Sequence, residues 1–168
     1  MKLLRFAILS FIILFLVVYS ISLFIPSHVT ISRAINMKAS SAEAILNKLE
    51  DINKWKEWYP GFDTMHIEPI VVANGRLLKA KFLTTTVSVI GTKSGETRAE
   101  FTSGNKNPIV SGWKMNFYNN SDSLTLQWHL DFKLKWYPWE KFFSLAYDKM
   151  YGSQMELGLQ NLKKNVER

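Results

Sequence analysis

PWEKFFSLAYDKMYGSQMELGLQNLKKNVER, residues 138–168, closes the chain and decides how the rest is read. Pro138 suits a first helical position: its missing N–H would be unpaired there in any case, and its fixed φ is already helical. Carried to the end of the chain, the stretch makes one helix of roughly 45 Å at 1.5 Å per residue. A domain of about 140 residues has a radius of gyration near 14–15 Å, so this helix crosses all of it. The sequence between an apolar N-terminus and this helix is β-rich. An antiparallel sheet curled around one helix, with a cavity between them, is the architecture predicted.

Two apolar stripes share the helix. Met155, Leu159, Leu162 and Val166 recur at i, i+4, i+7 and i+11, while Trp139, Phe143, Ala146, Tyr147 and Met150 form a second set. At about 100° per residue the two sets point in clearly different directions. Gly152 and Gly158 sit where the stripes change over, and each costs about 1 kcal/mol relative to Ala inside a helix. A kink, a break or a change of packing partner is predicted near Gly152. The glycines either bare the backbone for a ligand or are tolerated in a helix buried on several sides.

Just before this helix, Leu124, Leu126, Trp128, Leu130, Phe132, Leu134 and Trp136 occupy every second position against Ser123, Thr125, Gln127, His129, Asp131, Lys133 and Lys135. Such alternation predicts a strand with one dry and one wet face. Ile109, Trp113, Met115 and Phe117 share a parity in the preceding strand, and Thr97, Ala99 and Phe101 in a strand over 96–102. Segments 62–73 and 76–85 read as strands joined at Asn74-Gly75, a strong hairpin signal. Residues 86–91 continue the second of these or form a strand of their own.

Residues 28–38 alternate as a first strand, with Val29, Ile31, Arg33, Ile35 and Met37 on one side. Arg33 is then either a buried charge at a site or a long side chain emerging at an edge. Ser40-Ser41-Ala42-Glu43 fits a capping box opening a short helix through Leu49. A second short helical piece is predicted over 51–58 and is stopped by Tyr59-Pro60-Gly61.

The N-terminus is a different kind of sequence. Residues 3–25 are almost wholly apolar, and the 20 residues from Phe6 to Ile25 match the thickness of a hydrocarbon core. A retained transmembrane anchor over 1–26, followed by a domain over 27–168, is the organisation predicted. Lys2 and Arg5 place the N-terminus in the cytoplasm and the domain on the outer, periplasmic or extracellular, side. A cleaved signal peptide is the competing reading, although no A-x-A site follows the apolar run.

Composition narrows the function classes. The chain has 168 residues, and 47% hydrophobic content with six tryptophans is enough for a real core. The absence of cysteine excludes disulfides, thiol nucleophiles, lipoprotein anchoring and cysteine-ligated zinc. Net charge is +7, and setting aside Lys2 and Arg5 leaves 19 basic against 14 acidic residues spread along the domain. That spread is not the clustered patch of a nucleic-acid binder, so no nucleic-acid partner is expected. Attraction to anionic lipid is compatible with it.

The stretch ISRAINMKASSAEAILNKLEDINKWKEWYPGF, with Ala39-Ser40, Asp51, Trp55, Trp58 and Pro60, resembles the opening of the SRPBCC superfamily, which includes START lipid-transfer domains, polyketide cyclases and pollen-allergen-like proteins. The ending GSQMELGLQNLKKNVE is similar to the terminal helix of the polyketide-cyclase-like branch, with Gly158-Leu159 and Leu162-Lys163 in corresponding places. The order strand, two short helices, antiparallel strands and long helix is the helix-grip order. The resemblance implies an α+β, START-like fold in which a curved antiparallel sheet wraps around the C-terminal helix and encloses a hydrophobic cavity. It implies no single activity, because this fold hosts transfer proteins, receptors and cyclases.

The candidate ligand-binding residues are Trp113, Met115, Phe117, Trp128, Leu130 and Phe132 from the sheet, Met155 and Leu159 from the helix, and Trp58 at the mouth. Apolar walls with a few polar groups are how small-molecule sites are built; a filled core is the alternative. Trp55, Trp58 and Tyr59 either gate the cavity or the bilayer interface, or pack to fix the short helices. No catalytic constellation is present. His28, His66 and His129 are scattered, no G-x-G-x-x-G or Walker sequence occurs, and no cofactor or metal is expected. Asn119-Asn120-Ser121 is a glycosylation sequon. The leading expectation is a membrane-anchored, non-enzymatic module that binds or transports a hydrophobic small molecule or lipid. The alternatives are a cyclase- or hydrolase-like enzyme using Arg33, Tyr118 or Tyr147 in the cavity, and an interaction domain with a filled core.

Overall fold

A computed structural model describes residues 2–118 and 122–167; the sequon at Asn119 lies outside the described residues. Helix α1 (Lys2–Ser22) precedes strand β1 (His28–Lys38), a 3₁₀ turn (Ala39–Ser41), helix α2 (Ala42–Leu49) and a second 3₁₀ segment (Ile52–Glu57). Six strands follow: β2 (Glu68–Ala73), β3 (Arg76–Phe82), β4 (Thr85–Lys93), β5 (Glu96–Ser103), β6 (Ile109–Phe117) and β7 (Ser123–Lys133). Helices α3 (Pro138–Ser144) and α4 (Tyr147–Val166) end the chain. The strands form one antiparallel sheet in the order β1-β7-β6-β5-β4-β3-β2, and α4 packs on its inner face along β1.

The sheet divides as the alternation predicts. Leu124, Leu126, Trp128, Leu130 and Phe132 are buried, whereas their neighbours on β7 are half-buried on the outer face, and Lys133 at its end is exposed. β1 pairs along its whole length with β7, from His28 against Lys133 to Lys38 against Ser123. Asn74-Gly75 turns the β2–β3 hairpin with positive φ at both residues, the backbone that this dipeptide supplies. A second turn at Leu83-Thr84 separates β3 from β4, so 85–93 is a strand of its own.

Three local expectations are corrected. The first strand after Gly61 begins at Glu68, not Phe62, because the Phe62 ring packs on Tyr59 (4.6 Å), Phe82 (4.8 Å) and Trp55 (5.5 Å) and holds 62–67 as a loop over the core. The capping box does not form: Ser41 caps α2 without a side-chain bond to the helix, and its hydroxyl instead reaches the Val166 carbonyl at 3.5 Å. The closing helix breaks at Leu145–Ala146, six residues before Gly152. There the Ser144 hydroxyl donates to the Lys141 carbonyl (2.7 Å), and the next two amides close i→i−3 rings on Phe142 and Phe143. Hydroxyl back-bonding of this kind loosens the helical ladder.

Gly152 and Gly158 instead lie within continuous α4, on its buried face, where they permit close approach. A side chain at 152 would collide with the Arg33 guanidinium; one at 158 would stand 2.8 Å from the Trp128 ring and 3.0 Å from Pro60. Arg33 lies on the inward parity of edge strand β1 and emerges across Gly152 to pair with Asp148 (2.9 Å) and Glu156 (2.7 Å). The hydrogen bonds that it donates to those carboxylates hold its pKa above the ordinary value.

Candidate functional site

The interior opposite α4 is built from tryptophan. Asp51, buried at the start of the second 3₁₀ segment, accepts from the amides of Asn53 (3.0 Å) and Leu77 (3.1 Å) and so fixes that segment against β3. Its tryptophans are anchored by their own ring nitrogens: Trp55 donates to the Leu49 carbonyl (3.0 Å) and Trp58 to the Lys48 carbonyl (3.3 Å). From α4, Asn161 and Asn165 donate to the carbonyls of Trp58 and Glu57. Trp55 and Trp58 are thereby tied to the end of α2.

Eight of the nine residues singled out by sequence are buried: Trp58, Trp113, Met115, Trp128, Leu130, Phe132, Met155 and Leu159. Phe117, at the end of β6, is 60% exposed and lies outside this group. Ring centroids of Trp58, Trp113 and Trp128 stand 5.8–6.0 Å from one another. The space between mid-sheet and α4 is thus occupied by the rings that face it. Trp128 donates to the buried Ser111 hydroxyl at 2.8 Å. The Trp113 ring nitrogen has no hydrogen-bond partner among the described residues.

Open space lies at the two ends of this aromatic block. A cleft of about 180 Å³ lies between Ile109, Phe132 and Leu134 of the sheet and Phe143, Tyr147 and Tyr151 of the closing helices, with Lys106, Lys133 and Glu140 also lining it. Phe132 stacks obliquely on Tyr147 (4.6 Å) and Tyr151 (5.1 Å), forming its floor. The loop before β6 is tied down by Asn107, which donates to the Lys133 carbonyl at 2.7 Å. Burial pushes the phenols of Tyr147 and Tyr151 above their ordinary pKa, so both remain neutral hydrogen-bond donors at physiological pH. A second cleft, of about 260 Å³, lies between Phe62, Met65, Phe82, Val87 and Phe101. Of the nine, Phe132 alone lines either cleft.

The groups considered for chemistry separate. Tyr147 lines the first cleft, whereas Arg33 pairs with the outer carboxylates of α4 and exposed Tyr118 shares a hydrogen bond with Thr125 at 2.9 Å. His129 lies over Gly112 on the outer face of the sheet, 3.4 Å from Glu96 and 3.6 Å from Asp131. Among the described residues no group of three or more His, Asp or Glu is arranged to hold a metal ion. Tyr151 and Glu140 were missed by sequence reasoning; the signal for Tyr151 was its i+4 spacing from Tyr147.

No family model matches the sequence, and no curated protein matches it. Solved structures do. A START superfamily protein from Mycobacterium smegmatis is 19% identical with a TM-score of 0.57, over 82% of this chain and 97% of its own. A hypothetical protein from Helicobacter pylori is 13% identical with a TM-score of 0.60, over 82% and 88%. A point mutant of norcoclaurine synthase from Thalictrum flavum, in complex with a transition-state analogue, is 10% identical with a TM-score of 0.58, over 83% and 94%. At these identities the likeness shows the fold: a START-like, α+β helix-grip fold, here preceded by an apolar helix.

Proposed function

We propose that residues 27–168 form a module that binds or transports a hydrophobic small molecule or lipid, and that residues 1–26 hold it at a membrane. The observation that carries the reading is the cleft under the α3–α4 corner, with an apolar floor at Phe132 and neutral tyrosines and charged groups on its walls. Binding of this kind draws on desolvation of the ligand, with a few polar groups fixing its orientation. A dry cavity of about 150 Å³ holds one benzene ring, so this cleft suits one ring or a short length of acyl chain. The tryptophan block is then a rigid wall behind the ligand. α1 is 21 residues long with mean hydropathy 2.5 over an 18-residue window, enough to cross a bilayer. Lys2 and Arg5 favour a cytoplasmic N-terminus and an outer domain.

A specific observation also favours an enzymatic reading. Tyr147, Tyr151 and Glu140 meet in the same cleft, and norcoclaurine synthase, a catalyst by name, shares the fold. Both readings are tested on the full-length protein by extracting bound molecules and identifying them by mass spectrometry. Ile109→Trp fills the α3–α4 cleft and is expected to abolish the bound species, while Thr84→Trp at the second cleft leaves it in place. Conversion of the recovered molecule by the wild type, with binding alone by Tyr147→Phe, would establish the enzyme. A protein that is reproducibly empty refutes both and leaves the interaction domain, which the closed tryptophan block favours.

A further inference from the structure

The stripe Trp139, Phe143, Ala146 and Met150 faces away from the core: Trp139 is 64% exposed and the others are also exposed. Trp136 (64%), Phe142 and Leu145 (70%) widen it into an apolar surface at one corner of the domain. Among the described residues its one ring contact from α4 is that of Tyr147 on Phe143, at 5.8 Å, and the stripe stays exposed. Three contacts fix its position relative to α1. α3 packs against α1; the Tyr19 and Trp136 rings meet edge to face at 6.5 Å; and the Leu134 amide donates to the Ser27 carbonyl at 2.8 Å. Only five residues, 23–27, join α1 to β1, a span of at most about 18 Å. The exposed surface is therefore continuous with the C-terminal end of the apolar helix.

We infer that α3 lies in the headgroup region of the bilayer that α1 enters, with Trp136, Trp139, Phe142 and Leu145 inserted at the boundary between headgroups and acyl chains. The inference rests on the reading of α1 as an anchor and deepens it. Trp and Tyr concentrate at this depth, where one part of the ring is apolar and the other wet. Tyr19, Trp136, Tyr137 and Trp139 supply such rings beside the end of the helix, and Tyr137 stacks on Trp139 at 4.9 Å. Lys133, Lys135 and Lys149 flank them in the chain, as expected for contact with anionic headgroups. A water-soluble protein partner would explain the apolar rings but not their continuity with α1. One consequence concerns the cleft: Phe143 and Glu140 belong both to α3 and to its lining, so its ligand would be exchanged with the outer leaflet rather than with bulk water.

The chain contains no cysteine, so a single introduced one takes a probe uniquely. Full-length Trp139→Cys and Leu145→Cys, each carrying an environment-sensitive fluorophore, are reconstituted in phosphatidylcholine–phosphatidylglycerol vesicles. Nitroxides on the headgroup or deep in the acyl chain report depth, and iodide reports water. Phe11→Cys in mid-α1 and Lys164→Cys at the far end of α4 are the references. The expected result is quenching of both α3 probes by the shallow nitroxide and iodide quenching several-fold weaker than at 164, with position 11 quenched by the deep nitroxide. Iodide access at 139 and 145 equal to that at 164, with position 11 still in the bilayer, overturns the inference and leaves the anchor standing. Protection from iodide without nitroxide quenching overturns it too, because protein then covers the surface. Iodide access at position 11 removes the anchor and the inference together.

Discussion

Replacing Gly158 by alanine, and Gly152 by alanine for comparison, measures whether the space between sheet and closing helix is filled. Both sites lie inside α4, and both substitutions gain about 1 kcal/mol of helix propensity. They differ in what the new methyl meets. At 158 it stands 2.8 Å from the Trp128 ring and 3.0 Å from Pro60. The ring cannot retreat, because it is 1% exposed, is bonded to Ser111, and is backed by Tyr59, Trp58 and Trp113 with centroids at 5.1–5.8 Å. Overpacking against such a wall costs about 1–3 kcal/mol. Gly158→Ala should therefore be destabilised by up to about 2 kcal/mol once the propensity gain is subtracted.

At 152 the obstacle is the tip of Arg33, which can swing outward. The ion pairs lost are to the exposed carboxylates of Asp148 and Glu156, worth about 0–1 kcal/mol each. Gly152→Ala should then lie within about 1 kcal/mol of the wild type. Urea unfolding of the full chain in detergent, followed by tryptophan fluorescence and circular dichroism, gives both values. Equal stabilisation by the two alanines would refute the reasoning, since it would mean that the methyl at 158 enters open space and that the tryptophan block is not closed.

Two further outcomes follow from buried or paired groups. Ser111→Ala leaves the Trp128 ring nitrogen buried without an acceptor and should cost about 1–3 kcal/mol; an unchanged unfolding midpoint would show that the bond contributes nothing. The Glu96 carboxyl is held below its ordinary pKa, chiefly by the hydrogen bond from Arg98 and further by the charges of Arg98, His129 and Lys114. A depressed folded pKa stabilises above the unfolded value of about 4.3 and is lost as pH falls through the folded value. Glu96→Gln should accordingly flatten the decline in stability below about pH 4.5, and a variant whose unfolding midpoint falls with acid as steeply as the wild type's would contradict this.

The fold was legible where a face is set by period. β7 declares its dry side residue by residue, β1 runs over the residues that its alternation marks, and Asn74-Gly75 places its hairpin. Boundaries set by one side chain were not legible. Nothing in the sequence around Phe62 says that its ring prefers Tyr59 and Trp55 to a strand position, and Ser144 carries no mark that its hydroxyl will turn back on Lys141. The site was half legible for a related reason. Alternation states that Trp113, Trp128 and Leu130 point inward, and helical spacing says the same of Met155, but whether inward-pointing rings leave room among them depends on how closely α4 approaches. That distance is set by Gly152 and Gly158, whose missing side chains admit Arg33 and Trp128. Read as possible openings for a ligand, the glycines instead bring the helix close enough to help close the centre, and the clefts at Phe132 and at Phe62 lie beyond it.

The interruption at Leu145–Ala146 follows from the same two stripes. A straight helix from Pro138 to Val166 would hold Trp139, Phe143 and Met150 in a fixed angular relation to Met155, Leu159 and Leu162. The second set is committed to the sheet, since Met155 and Leu159 are each 1% exposed and α4 cannot rotate without withdrawing them. Ending α3 after Ser144 and restarting at Tyr147 frees the first stripe from that relation. α3 then takes its direction from α1, against which it packs, while α4 takes its own from β1. Tyr147 and Tyr151, the first inward residues after the break, turn back onto Phe132. The cleft is lined from both sides of this break, by Glu140 and Phe143 before it and Tyr147 and Tyr151 after it, so one local break accounts for both the outward aromatic surface and the pocket beside it.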